Sequence, residues 1–117
     1  MKSYTDFEQS KKLAEILPLK KSADMRFCFS HKLDGRITGH YPMIGREPSL
    51  GTVPCWSLAA LLDILPKGVS LLKNSYDETY AIINIDFENE DVKIEWYNSP
   101  IDACYEMIIK LHEQKIL

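Results

Sequence analysis

The chain has 117 residues, 45% hydrophobic and 26% charged, with a net charge of −3. That length fits one domain, 1–117, with one core, and it buries roughly two-thirds of the unfolded surface without help from metals or disulfides. The composition excludes disordered and fibrous classes, and the acidic balance argues against a nucleic-acid partner, which needs a basic patch to displace counterions.

Thr5-Asp6-Phe7-Glu8 reads as a capping box, with the Thr5 hydroxyl accepting from the amide three residues on and Glu8 reaching back. Phe7, Leu13, Ala14, Ile16 and Leu17 form an apolar stripe that Pro18 halts, which predicts a helix over residues 6–17. Residues 25–32 alternate, with Met25, Phe27, Phe29 and His31 on one side and Arg26, Cys28, Ser30 and Lys32 on the other. That is the period of a strand. Asp34-Gly35 signals a turn, with a short partner strand through Ile37. Residues 39–54 carry three glycines and three prolines and read as a long ordered loop, anchored by Tyr41, Met43, Ile44 and Leu50. Long loops inside small domains are often functional.

Leu58, Leu61, Leu62 and Leu65 recur at helical spacing between Pro54 and Pro66, predicting a second helix over residues 55–65. A short strand follows at 69–73 and a turn at 74–77. Residues 79–87 alternate again, with Ala81, Ile83, Ile85 and Phe87 on one face and Tyr80, Ile82, Asn84 and Asp86 on the other. With Val92, Ile94 and Trp96 beyond the polar turn at 88–90, they predict an antiparallel hairpin with one apolar face. Ser99-Pro100-Ile101-Asp102 then supplies an N-cap, a first-turn proline and a carboxylate near the helix dipole. Ile101, Cys104, Tyr105, Ile108 and Leu111 are the buried stripe of that last helix. The fold class expected is α+β, a two-layer sandwich. An antiparallel sheet of three to five strands carries three helices mainly on one face.

Cys28, Cys55 and Cys104 are an odd number without Cys-x-x-Cys spacing, which fits a reducing, cytoplasmic address. No apolar run reaches the roughly 18 residues that span a bilayer, and the first residues lack a signal-peptide core. Lys11, Lys12, Lys20 and Lys21 cluster, and read as a solvated surface.

Cys55-Trp56-Ser57 is the most provocative local feature. A cysteine at a helix N-terminus has its pKa lowered, and papain-like cysteine proteases place a Cys-Trp pair there. The resemblance is confined to those two residues, because the only downstream histidine is His112, near the end of the last helix. The competing reading makes Cys55 a small buried residue and Trp56 a core aromatic. His31, His40 and His112 show no metal-ligand spacing with the cysteines, so neither metal nor cofactor is expected. Asp86, Glu88, Glu90 and Asp91 crowd a turn as ordinary solubilising residues, and Gly35, Gly39, Gly45 and Gly51 form no nucleotide fingerprint. Tyr41, Trp56 and Tyr97 are candidate binding aromatics, whereas Trp96, in phase with Val92 and Ile94, is expected in the core.

Thr5-Asp6-Phe7-Glu8-Gln9-Ser10-Lys11-Lys12-Leu13, Ser22-Ala23-Asp24-Met25, Pro54-Cys55-Trp56-Ser57-Leu58 and Trp96-Tyr97 with Pro100-Ile101-Asp102-Ala103 occur in this order along the chain. In them the chain resembles a family of small proteins from gut anaerobic bacteria and their phages and mobile elements, a family without assigned activity. The resemblance implies a compact, phage- or mobile-element-associated product and no mechanism. Two functions follow as expectations. One is a small non-enzymatic module that binds a protein partner or regulates it. The other is an enzyme using Cys55, or a small-molecule binder with a pocket between residues 39–54 and the sheet. Self-association through a sheet face bearing Tyr80, Ile82 and Tyr97 is compatible with either.

Overall fold

The computed structural model describes residues 2–17, 22–44, 52–84 and 94–115. Helix α1 (Phe7–Ile16) is capped one residue later than the sequence suggests. Asp6 is the N-cap, accepting from the Gln9 amide, and the Gln9 side chain bonds the Asp6 amide in return. Thr5 and Glu8 therefore do not form the capping box. Thr5 is fully buried, and its hydroxyl is used elsewhere.

Strand β1 (Met25–His31) pairs antiparallel with β2 (Ile37–Ile44) and with β3 (Val53–Cys55), giving the strand order β2-β1-β3. Gly35, at φ 86°, supplies the left-handed residue of the intervening turn. A register irregularity lies between Ser30 and His31. The long loop expected over residues 39–54 is thus corrected. Residues 39–44 are strand, 53–55 are strand, and 45–51 lie outside the described residues. Gly39 and Pro42 disguised β2, but β2 is an edge strand, where a proline costs the ladder little.

Helix α2 (Leu58–Ile64) starts after Ser57, whose hydroxyl accepts from the Ala60 amide, so Cys55 belongs to β3 and not to a helix N-terminus. Strands β4 (Val69–Asn74) and β5 (Thr79–Asn84) form a second antiparallel sheet, and α3 (Pro100–Glu113) follows with Ser99 as its N-cap, as the sequence predicts. The molecule is α+β, with three helices and two antiparallel sheets of three and two strands among the described residues.

The core joins α2, α3 and one face of β5. Trp56, Leu61, Ile101, Cys104, Ile108 and Leu111 are buried there with Leu13, Tyr80 and Ile82. Each large apolar side chain so enclosed contributes roughly 1.5–3 kcal/mol before chain entropy is charged against it. Tyr80 and Ile82 are buried along with Ala81 of the face predicted to turn inward, which removes Tyr80 and Ile82 from any surface for self-association. Residues 80–83 are apolar on both faces, so alternation could not choose between them. The main core cluster takes Tyr80 and Ile82, while Ala81, also fully buried, lies outside it. Backbone bonds of 2.8 Å in both directions between Tyr80 and Tyr97 put Tyr97 in phase with Tyr80. Trp96, one residue out of phase, is exposed with Ile94, so the core position predicted for Trp96 is corrected. The predicted hairpin turn and the acidic cluster Asp86, Glu88, Glu90 and Asp91 lie outside the described residues.

Candidate functional site

Three of the sequence blocks meet in one buried polar knot. The Thr5 amide donates to the Trp56 carbonyl at 2.9 Å, and the Trp56 amide donates to Thr5 Oγ1 at 3.1 Å. Thr5 Oγ1 and Ser10 Oγ share a hydrogen bond of 2.7 Å, and Cys55 Sγ lies 3.5 Å from the Thr5 carbonyl oxygen it donates to. Asp24 accepts from the Ser57 amide at 2.9 Å and from the Ser57 hydroxyl, while Trp56 Nε1 donates to Ser22 Oγ at 3.2 Å. Burying polar groups is tolerable only when their hydrogen bonds are made, and here they are made among the chain's own distant segments.

That arrangement decides two candidates. Cys55 is wholly buried, and burial pushes its thiol pKa up, an effect the Thr5 and Ser10 hydroxyls offset only in part. A thiol held protonated is a poor nucleophile, so burial works against a reactive Cys55. Its hydrogen bonds run to Thr5, while His112 sits in the last turn of α3 and His40 stacks on Phe7 with centroids 4.6 Å apart. Trp56 is wholly buried and forms no binding surface. Tyr97 is half-buried, its hydroxyl donating to Glu95 at 2.6 Å beside Lys110.

Tyr41 is different. The pairs Arg26–Met43, Cys28–Tyr41 and Ser30–Gly39 set one face of the β1–β2 hairpin, and the pairs Phe27–Pro42 and Phe29–His40 set the other. The second face is covered at its middle, while Ile44 and Ile37 toward its two ends are exposed. Phe7 of α1 meets Phe27, Phe29 and His40 at centroid distances of 5.8, 6.0 and 4.6 Å, and Tyr4 meets Phe27 at 6.0 Å. The first face leaves Tyr41 and Met43 at 44% and 43% exposure, and Leu33 at the hairpin turn is fully exposed; Ile37, paired with His31 beyond the register irregularity, belongs to the other face. The hairpin carries Arg26, Lys32 and Arg36 against Asp34, a positive segment in a chain of net charge −3. Sequence reasoning singled out Tyr41 but missed Met43 as its same-face neighbour, because it read residues 39–54 as loop and alternation cannot be counted in a loop.

Among the described residues no group of three or more His, Cys, Asp or Glu is placed to hold a metal ion, and no helix is long and apolar enough to cross a membrane. No family model, curated protein or solved structure matches the chain.

Proposed function

We propose that the protein is a small non-enzymatic module that binds another protein through its β1–β2 hairpin. The observation that carries this reading is the exposed pair Tyr41 and Met43, neighbours on one face of an edge strand. Scattered exposed hydrophobics are ordinary, whereas neighbours on one face form a patch of the kind that marks interaction sites. Tyrosine supplies large contact area at small entropic cost, and methionine adapts to irregular partners. The expected address is cytoplasmic, the resemblance points to a product of phages or mobile elements, and neither a cofactor nor a nucleic acid enters the proposal.

The test is affinity purification from the native host with the wild-type chain and a Tyr41→Glu, Met43→Glu double variant. Both side chains are exposed, so the variant is expected to fold, which circular dichroism checks. Loss of a discrete partner in the variant supports the reading. Recovery of the same proteins by both chains ends it.

A further inference from the structure

We propose that the edge of β2 away from β1 takes up an acidic, extended segment of another protein as an added strand, with that segment's apolar side chains against Tyr41 and Met43. The inference rests on the protein-binding reading and names the chemistry of the partner.

Three observations converge on it. In the order β2-β1-β3, β2 pairs only with β1 among the described residues, and at eight residues it ties one row of its backbone groups while leaving the other row for a partner. The apolar side chains beside that edge, Tyr41 and Met43, are two residues apart on one face, so an added strand lying in the same sheet would present every second side chain to them. The charge is positive toward the hairpin turn, from Lys32 and Arg36, and Lys11 stands 5.4 Å over the Phe7 ring that stacks on His40. The Arg36–Asp34 pair at 2.7 Å is exposed and leaves the sign of the segment unchanged.

The same facts choose a foreign segment over a second copy. Two-fold pairing of β2 with itself would set two positive hairpins side by side. It would also bring two copies of Pro42, each without an N–H, into one short ladder. An acidic segment meets one proline and complementary charge.

The experiment uses the full chain and a fluorescein-labelled synthetic ten-residue peptide alternating valine or isoleucine with glutamate. Its control is the same peptide with lysine at each acidic position. Anisotropy at low salt is expected to show at least about tenfold tighter binding of the acidic peptide, a gap that narrows as salt shortens the Debye length. Lys32→Glu with Arg36→Glu is expected to weaken the acidic peptide about tenfold, and amide exchange is expected to slow across residues 38–44. Equal binding of both peptides, no binding of the acidic one, or protection confined to other segments overturns the inference. If the acidic peptide fails while the Tyr41, Met43 variant still loses its partner, protein binding stands and the strand-addition inference falls. If the peptide binds and slows exchange in β2 but the variant keeps every partner, the edge chemistry stands and the cellular reading falls.

Discussion

Thr5 shows how one side chain can organise a junction between distant segments. Its hydroxyl accepts the Trp56 amide and is shared with Ser10, and all three residues are buried. Thr5→Val keeps the shape and removes the oxygen, leaving the Trp56 amide and the Ser10 hydroxyl short of a partner away from water. The expected cost is about 1–3 kcal/mol, read from the midpoint of urea unfolding at unchanged slope. A loss within error of zero would mean that water reaches the knot. The cysteines allow a second prediction at this scale. Cys28 is half-buried, whereas Cys55 and Cys104 are buried with raised thiol pKa values, that of Cys104 pushed up to about 12 by burial. Alkylation of the native protein followed by mass spectrometry is expected to modify Cys28 first, with Cys55 and Cys104 following only as fast as the chain opens. The sign of the linkage follows from the neutral thiol being the form the fold favours. That stabilisation is whole below the unfolded thiol value and is lost as pH rises toward 12, so melting temperature should fall through the alkaline range.

Among the elements, the first turns of α1 and α3 are joined by a cluster that a sequence reading of either helix alone does not contain. Lys2 Nζ lies 2.6 Å from Asp102 Oδ1 and 3.1 Å from Asp6 Oδ2, and Gln9 Nε2 donates to Asp102 at 2.8 Å. Burial alone would raise the Asp102 carboxyl, but hydrogen bonds from Lys2, Gln9 and the Ser99 hydroxyl outweigh it and hold the pKa below its ordinary value. For Lys2, burial works to lower the pKa and the bonds to Asp102 and Asp6 raise it overall. The carboxylate contribution is therefore intact above an unfolded value of about 4 and disappears as pH falls through the folded one. The ammonium contribution is intact below the lysine range and disappears above it. Lys2→Met is expected to cost about 0.5–1 kcal/mol at neutral pH, since both side chains are part-exposed, and almost nothing at a pH low enough to protonate Asp102. Urea titrations of both chains at the two pH values check this, and an undiminished difference in acid would assign the effect to packing. What the sequence made legible was chemistry local to a few residues. Ser99-Pro100 marks the start of α3 as predicted, and alternation marks β1 and β5. Pro42 and Gly39 concealed β2 because their cost depends on whether a neighbouring strand exists, which is a tertiary fact. The knot was hidden for the same reason. Ser22, Asp24 and Ser57 each look like local turn or cap residues, and only the fold brings Asp24 to the Ser57 amide.

At the scale of the molecule, the chain is elongated. Its radius of gyration is 15.9 Å, with extents of 57 × 32 × 20 Å, against roughly 13 Å for a compact domain of about 100 residues. The core draws its buried side chains mainly from α2, α3 and β5, with Leu13 of α1, and none of the described side chains of β1 joins it, Phe27 being buried outside it. Beyond Phe29 and His40, where Phe7 ends the aromatic cover, the hairpin carries exposed Ser30, Leu33 and Ile37. Local stability tracks buried apolar contact, so the two ends of the molecule should open at different free energies. Hydrogen exchange under native conditions is expected to show the amides of residues 30–39 exchanging through local openings, insensitive to low denaturant. Amides of α3 and β5 should exchange only through global unfolding, with a denaturant slope matching that of equilibrium unfolding. A hairpin that opens at low cost can adjust its edge to an incoming strand without disturbing the core beneath Trp56 and Ile108. If residues 30–39 instead showed the full global protection of α3, the hairpin would be part of the cooperative core and too stiff to adjust.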